Sequence, residues 1–522
     1  MDFLYRNMHM EQKKWEASTQ ITIEEDINVP DVKNDCASIL LKDATLVVDE
    51  TRVGRDQVVV RGKLKYQILY MAGDTLEGLR GELPFEEVMN VQGATPGDFA
   101  MARGVIEDFK VSMINTRKLA IQSVVMLYAS NHQLLEEEWT EDLVHCGDSV
   151  QKKRTTYEVL PLAQKKTDLF RVKEELELPG GYPSVQNILW KQVSLGNFET
   201  RAMDGRISIK GELQCHIIYM GQGANSVMKV FPKKVPFHGL VECAGCDMDR
   251  MISVLPALHQ YSIEVKQDSD GEDRVLYLDA PIDMQIRVYC PEKVDLLEDV
   301  YSTQAEMTPQ TKVIHKPVVC LAGEGKCKVG HNHKLKEGTP FATRVLQTAG
   351  HIYPDRESWD GLKLHLMGSV LVEILYETGD EEVPYAVTEC MMPYQFEMES
   401  GLQAMEAEDK PSILIEPRLE QMEVTQLDSR ELEIKGTVAF AVLVTSVKEL
   451  ECVGEVDVQE VDISKYALIP SVVVCYADVD TPLWEYGKRY YMPVEEMKRL
   501  NNMTEDVLKA GEKVMLVKGA AK

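Results

Sequence analysis

The sequence lacks any run of about 18 apolar residues that could cross a membrane as a helix, although 44% of its 522 residues are hydrophobic. After Met1 it also lacks the short apolar stretch and small-residue cleavage site of a secretory signal, and neither end carries a lipidation motif. These absences predict a cytoplasmic protein without a transmembrane segment. At roughly 100 to 200 residues per domain, the length predicts three to five domains.

Positive charge and cysteine are also scarce. The chain has 57 Lys and Arg against 85 Asp and Glu, a formal net charge of −28. Nucleic-acid binding is driven largely by counterion release onto Lys and Arg, so this acidic chain is not expected to bind nucleic acid. The eleven cysteines are odd in number, and without an export signal they are expected to be reduced thiols.

Catalytic signatures are missing as well. The sequence has no G-x-S-x-G, H-E-x-x-H or P-loop pattern, and the GEGKC segment at Gly323 is too short to wrap phosphates. Acidic residues are so numerous that no carboxylate pair is singled out as a general acid and base. We therefore predict that the protein is not an enzyme and has no cofactor.

Two groups of residues have redox or metal-like spacing, and they are Cys243-x-x-Cys246 and the cluster Cys320, Cys327, His331 and His333. If they came together they could complete a tetrahedral zinc site, as in a metal-dependent or redox enzyme. However, Ala244-Gly245 fits an ordinary surface turn, and no basic neighbour is positioned to lower a thiol pKa. We predict no metal site, and the metal or redox enzyme stays a rival hypothesis.

An internal repeat fills most of the chain. In each copy a glycine lies 22 residues after the leucine of an Ile/Val-Leu pair, and a tyrosine follows eight residues later. The three sets are Leu40, Gly62 and Tyr70; Leu189, Gly211 and Tyr219; and Leu346, Gly368 and Tyr376. A Pro-aromatic pair then follows, as Pro84-Phe85, Pro236-Phe237 and Pro393-Tyr394. The spacing of the glycines gives one module of roughly 150 residues.

The segment around each repeat glycine predicts a β-strand, because apolar and polar residues alternate there. Such alternation is typical of a sheet with one buried face, so each module is predicted to be an antiparallel, sandwich-like β unit. The repeat glycines are interpreted as bulges or close-packing positions, and the repeat tyrosines as core or rim aromatics. The acidic run at 136–142 is interpreted as solvated surface or a short helix.

The pattern changes near residue 466. A strand at Val472–Tyr476, helices at about Pro482–Tyr490 and Val494–Asn501, and a strand at Lys513–Val517 predict a βααβ unit. Thr481 is expected to cap the first helix, and Trp484, Leu500 and Leu508 to lie in the core. The fold class is therefore mainly β, with three tandem β modules at 1–150, 151–310 and 311–465, followed by a small α+β unit at 466–522.

The last unit resembles a LysM domain. The matching residues are the Asp480-Thr481 turn, Leu483-Trp484, Glu495-Glu496, Leu500-Asn501-Asn502 and Gly511. Together with the P-x-V-x-x-I-L and G-x(7)-Y repeat patterns, the whole chain resembles SPOCS-domain proteins that end in LysM. The resemblance implies a non-enzymatic scaffold in spore coat assembly, located in the mother-cell cytoplasm at the surface of the developing forespore.

The resemblance further implies that the LysM-like unit binds the coat morphogenetic ATPase SpoIVA, with other coat proteins as further partners. Its candidate partner-binding residues are Asp480, Thr481, Trp484, Tyr490, Tyr491 and Asn501. The alternative is a LysM protein that binds peptidoglycan or a related glycan. Val479 argues against glycan binding, because it stands where glycan-binding members usually carry a glycine that lets the backbone approach the sugar closely.

Overall fold

A computed structural model describes residues 1–223, 227–401, 411–460 and 468–517. Most of these residues lie in antiparallel strands, and the helices are two short ones near the C-terminus. The prediction of a mainly β chain with three tandem modules and a small βααβ unit is confirmed. Within the described residues, none of the helices has the length and apolar character needed to span a membrane.

Module 1 is a sandwich of two three-stranded sheets. Its strands are β1 (Asp2–Asn28), β2 (Ser38–Val53), β3 (Gln57–Ala72), β4 (Thr75–Asn90), β5 (Ala100–Asn115) and β6 (Lys118–Val144). One sheet has the order β1-β6-β5 and the other β2-β3-β4, and the core lies between them. Because β1 and β6 are both long, they continue beyond the sandwich as a two-stranded ribbon.

Module 2 repeats this plan with its long strands interrupted. Its strands are β7 (Val150–Val159), β8 (Leu162–Glu177), β9 (Val185–Met203), β10 (Arg206–Gly221), β11 (Met228–Glu242), β12 (Met251–Ala257), β13 (Ser262–Lys266), β14 (Val275–Tyr289) and β15 (Glu292–Ser302). One sheet has the order β11-β10-β9, and in the other β14 pairs with β8, β12 and β13. The β7–β15 pair forms the ribbon.

Module 3 has the same two-sheet form as module 1. Its strands are β16 (Ala305–Lys334), β17 (Arg344–Trp359), β18 (Lys363–Glu377), β19 (Tyr385–Glu399), β20 (Ser412–Gln426) and β21 (Glu431–Glu460). The sheet orders are β16-β21-β20 and β17-β18-β19, and β16 with β21 forms the ribbon. The predicted boundary between 465 and 466 lies outside the described residues.

The repeat glycines are close-packing positions, and each lies under the aromatic ring of its own module. Gly62, Gly211 and Gly368 are the cross-strand partners of Phe85, Phe237 and Tyr394. A Cβ at Gly211 would lie 2.5 Å from Cζ of Phe237, and one at Gly62 would lie 2.2 Å from the carbonyl oxygen of Val47. A side chain at either position would displace the ring or the neighbouring strand.

The repeat tyrosines are buried and make the same hydrogen bond in all three modules. The hydroxyls of Tyr70, Tyr219 and Tyr376 donate to the backbone carbonyls of Asn34, Pro183 and Pro340, at 3.2, 3.0 and 3.3 Å. Each acceptor lies 36 residues before its tyrosine. The bond ties the segment that enters the repeat to the central strand, and it satisfies a hydroxyl that burial would otherwise leave unpaired.

The three modules pack against one another through several buried apolar clusters, two of which are described here. A hairpin cluster joins β2–β3 of module 1 to the matching strands of modules 2 and 3, through the buried residues Leu41, Leu69, Leu189, Trp190, Ile218, Leu346 and Leu375. A ribbon cluster joins the three ribbons, through Met8, Trp139, Val159, Val294, Leu296, Ile314 and Cys452. The modules are therefore in mutual contact, a question that the sequence left open.

The interpretation of residues 136–142 as solvated surface or a short helix is only partly right, because the segment is a strand with one buried face. The segment belongs to β6 and pairs with β1, with Trp139 opposite Arg6. Trp139 is fully buried in the ribbon cluster, whereas Glu136 and Glu138 point to solvent. The acidic residues occupy the outer face of a strand, so their number does not indicate a loop.

Buried carboxylates lie at the contacts between modules. Glu11 of module 1 accepts two hydrogen bonds from Arg287 of module 2, at 2.7 and 3.2 Å, and Lys165 lies 2.7 Å away. Glu373 of module 3 pairs with Lys42 of module 1 at 3.0 Å. Each acid is matched by a cation of another module, which fixes the relative placement of the modules.

Candidate partner-binding surface of the C-terminal unit

The C-terminal unit has the predicted βααβ order. It consists of β22 (Val472–Tyr476), β23 (Thr481–Pro482), α1 (Leu483–Tyr490), α2 (Val494–Asn501), β24 (Val507–Leu508) and β25 (Lys513–Val517). The inner faces of the antiparallel pair β22–β25 and of the helices enclose Leu483, Met497, Leu508, Val514 and Leu516. Each helix ends on a residue in the left-handed conformation, Tyr491 and Asn502.

Thr481 does not cap α1 as predicted. The residue before the helix is Pro482, which has no capping side chain, and the Thr481 hydroxyl donates to the carbonyl of Val479 at 2.8 Å. The amide of Leu483 at the start of α1 donates to the carbonyl of Asp506 instead, at 2.8 Å. The first turn of the helix is therefore held by the loop that precedes β24.

Helix α1 fastens the unit to the ribbon of module 2. The indole Nε1 of Trp484 donates to Oδ2 of Asp299 at 2.7 Å, and Nζ of Lys488 lies 2.8 Å from the same oxygen. The Trp484 ring meets the Tyr301 ring edge-on, with 4.7 Å between centroids. One carboxylate and one aromatic ring of β15 thus bind two successive turns of the helix.

Tyr301 is the buried centre of this contact. Its side chain is 3% exposed, and its hydroxyl donates to the backbone carbonyl of Met492 at 2.8 Å. Burial raises the pKa of Tyr301, so the phenol keeps its proton for that bond. Gly487 allows the approach, because a Cβ there would lie 2.4 Å from the Tyr301 hydroxyl.

The two loops beside the helices bind each other through their backbone. Thr481-Pro482 pairs with Val507-Leu508, and Oδ1 of Asp480 accepts a hydrogen bond from the amide of Ala510 at 2.9 Å. Val479 is exposed, with 69% of its surface accessible. The Asp480 carboxylate and the Thr481 hydroxyl are thus already hydrogen-bonded within the unit.

Other predicted partner-binding residues also have partners inside the unit. The Asn501 side-chain amide donates to the carbonyls of Met497 and Met515, and its oxygen accepts from the Met515 amide at 2.7 Å. The Tyr490 hydroxyl accepts from the Cys475 thiol at 3.4 Å. The pKa of Tyr490 is raised by its contact with the Cys475 thiol and by burial. Tyr491 is half-buried at the end of α1.

The outer face of the β22–β25 pair is the exposed apolar surface of the unit, and the sequence analysis did not single it out. Val472 faces Val517, and Val474 faces Met515, across the pair. Tyr476 ends the row and is 67% exposed, while Val472 and Val474 are 55% and 51% exposed. This outer sheet face comprises Val472, Val474, Tyr476, Met515 and Val517. Because side chains alternate between the two faces of a strand, the almost wholly apolar strands VVVCY and KVMLV could have indicated an apolar outer face.

The cysteine and histidine cluster does not form as a four-residue group. Cys320 and His333 lie on the same strand, β16, 13 positions apart. At about 3.3 Å per residue their backbones are roughly 40 Å apart. The structure places Cys320 in the core of module 3, and it brings His331 and His333 beside Cys390 of β19.

Cys243 and Cys246 lie in a turn, as predicted, but their side chains point into the core of module 2. They are 1% and 4% exposed, and their Sγ atoms are 2.9 Å apart. Burial, together with the hydrogen bond to Cys243, raises the pKa of Cys246 to about 12, which keeps its thiol protonated. The eleven cysteines are thiols that are not joined in disulfides.

Comparison with known families agrees with the repeat. The family model described as SipL, SPOCS domain, matches residues 35–114 and 184–266. These ranges contain the repeat glycines and tyrosines of modules 1 and 2. They also contain the strands β2 to β5, except the last residue of β5, and the strands β9 to β13. No curated protein and no solved structure matches the chain.

Proposed function

We propose that this chain, whose residues 35–114 and 184–266 match the SipL, SPOCS domain family model, is a non-enzymatic scaffold in endospore coat assembly. The family match favours a role in sporulation. In the proposed role it works in the mother-cell cytoplasm, at the surface of the developing forespore. Its C-terminal unit docks onto the coat morphogenetic ATPase SpoIVA, and its modules present surfaces to other coat proteins.

The observation that supports the proposal is the contact between the C-terminal unit and strand β15 of module 2. Trp484, Lys488 and the Met492 carbonyl bind Asp299 and Tyr301 of module 2, on one side of the unit. The outer sheet face lies on the strand side and stays exposed. A unit that is attached to a larger body by one side and carries an exposed apolar face on another suits a scaffold that joins two assemblies.

The composition of the outer sheet face favours a protein partner. Its exposed groups are three valines, a methionine and a tyrosine, which offer apolar area and one polar hydroxyl. Methionine and tyrosine are enriched at protein interfaces, whereas a sugar needs several aligned hydrogen-bonding groups. The backbone pairing of the neighbouring loops, described above, also leaves little for a glycan to bind.

The test is binding of the full-length chain to purified SpoIVA, measured by biolayer interferometry. Val474→Glu and Met515→Glu each place a charge at the centre of the outer sheet face, and each is expected to weaken binding at least about tenfold. Leu240→Glu on module 2 is the matched control, because Leu240 is 52% exposed and lies on β11. The Leu240→Glu variant should bind SpoIVA with the same affinity as the unmodified chain.

The outcomes separate the alternatives. If Tyr491→Ala weakens binding and the two glutamate variants do not, the docking role stands but the surface is the one predicted from the sequence. If the full-length chain does not bind SpoIVA, the docking proposal is wrong. Co-sedimentation with insoluble peptidoglycan, abolished by Asp480→Ala, would replace it with the glycan-binding alternative.

A further inference from the structure

Three soft or borderline metal ligands converge in module 3. His331 and His333 are alternate residues of β16, so their side chains leave the same face of the strand. Cys390 lies on β19, and the ligand atoms of the three side chains are all within 4.8 Å of one another. His331 is exposed, His333 is half-buried, and Cys390 is buried at 6% exposure. The group is open to solvent on the His331 side.

The fold explains why these residues meet although 57 positions separate His333 from Cys390 in the sequence. Strand β16 is an edge strand of one sheet, with β21 as its neighbour, and β19 is an edge strand of the other, with β18 as its neighbour. The two edge strands run along the same open side of the sandwich. Residues that close this side therefore come from both sheets.

A neighbouring hydroxyl group orients the imidazole ring of His333. The Thr388 hydroxyl on β19 lies 2.7 Å from Nε2 of His333. Hydrogen bonds of this kind orient the imidazoles of metal sites. The bond also connects the same two edge strands that an ion would connect.

We propose that His331, His333 and Cys390 form a zinc site with three protein ligands and one position open to water. Zn²⁺ takes imidazole nitrogen at about 2.0 Å and thiolate sulfur at about 2.3 Å, in tetrahedral geometry. Ligand atoms around such an ion are about 3.3 to 3.6 Å apart, so the side chains need to close by about 1 Å from their 4.8 Å limit. Rotation about the side-chain bonds of the three ligands would supply that movement.

The site belongs to module 3 alone. Cys390 lies three residues before the repeat proline Pro393, and the corresponding residues are Gly81 before Pro84 and Lys233 before Pro236. Neither is a zinc ligand. The site is therefore not a general feature of the repeat, and a bound ion would clamp the two sheets of one module.

The test uses the full-length chain, stripped with a chelator and titrated with Zn²⁺ in competition with a chromophoric chelator. We expect about one Zn²⁺ per chain, and a rise in the melting temperature on binding. His331→Gln and Cys390→Ser should each lower the affinity at least about tenfold. Cys327→Ser is the matched control, because this half-buried cysteine lies on the same strand outside the group.

Co²⁺ gives a second readout that does not depend on stability. Co²⁺ bound at the site should show a thiolate-to-metal charge-transfer band, and Cys390→Ser should abolish it while the near-UV circular dichroism stays that of a folded chain. Unchanged affinity in the His331 and Cys390 variants would overturn the proposal. So would loss of the ion in Cys243→Ser, because it would assign the metal to the other cysteine pair.

Discussion

Replacement of Arg287 by methionine would leave a buried carboxylate at the contact of modules 1 and 2 without its main partner. Arg287 is 1% exposed and binds both oxygens of Glu11, whose side chain is 11% exposed. The remaining cation, Lys165, lies 2.7 Å from Glu11 and is partly solvated. We therefore expect the variant to be strongly destabilised at this contact.

The magnitude follows from the ionisation of Glu11. Burial opposes the charged form, but the hydrogen bonds and charges of Arg287 and Lys165 prevail and lower the pKa from 4.5 to about 2. That difference corresponds to about 3 kcal/mol of stabilisation at neutral pH. Since the pKa is lowered in the folded state, this contribution is complete above about pH 4.5 and is lost as the pH falls to about 2.

The assay combines urea unfolding, followed by tryptophan fluorescence, with hydrogen exchange of the amides of β1 and β14. Arg287→Met should cost about 3 kcal/mol at pH 7, and the loss should be much smaller at pH 3. The double variant Glu11→Met with Arg287→Met should recover most of the loss, because no unpaired buried charge is left. Glu199→Gln is the control, because its pair with Lys210 is exposed and should contribute less than about 0.5 kcal/mol.

Two results would refute this reasoning. If Arg287→Met cost no more than the Glu199→Gln control, the buried pair would not stabilise the contact. If the double variant were as unstable as Arg287→Met alone, lost packing of the long arginine side chain would explain the effect better than an unpaired charge.

Three further predictions concern the repeat and the C-terminal unit. Gly62→Ala should lower the free energy of unfolding of module 1 by about 2 kcal/mol in urea, because the new Cβ would lie 2.2 Å from the carbonyl oxygen of Val47. Gly180→Ala is the control and should leave the free energy of unfolding nearly unchanged, because nothing lies within 4 Å of its Cβ. Tyr219→Phe should cost about 1 kcal/mol by the loss of the bond to Pro183, and an unchanged urea midpoint would contradict the role assigned to that bond. Trp484→Ala should accelerate proteolysis of the C-terminal unit without lowering the melting temperature of the modules. Arg499→Ala, exposed on α2, is the control.

The repeat made much of each module predictable. The spacing of Gly62 and Tyr70, with the Pro-aromatic pair, predicted strands, close packing and buried tyrosines, because these depend on local alternation. The order of elements in the C-terminal unit was predicted for a similar reason, since Pro482 and Pro493 mark both helix starts.

The contacts between modules could not be predicted in the same way. Glu11 and Arg287 are separated by 276 positions. The alternation of polar and apolar residues along each strand predicts that such charged side chains face solvent, and it does not show that these two are buried against each other. Trp139 lies within an acidic run, so composition alone indicated surface. The Cys390 ligand lies on a different sheet from the histidines, and only the order of the strands brings them together.

The pairing of first and last strands within each module has a consequence for synthesis. Strand β1 pairs with β6, so module 1 can close as soon as Val144 has left the ribosome, and each later module can close in turn. The ribbon cluster needs strands from all three modules, including Cys452, and so it can be completed only near the end of translation. The C-terminal unit docks onto β15 after that. The outer sheet face is therefore the last part of the described structure to be added to the three modules.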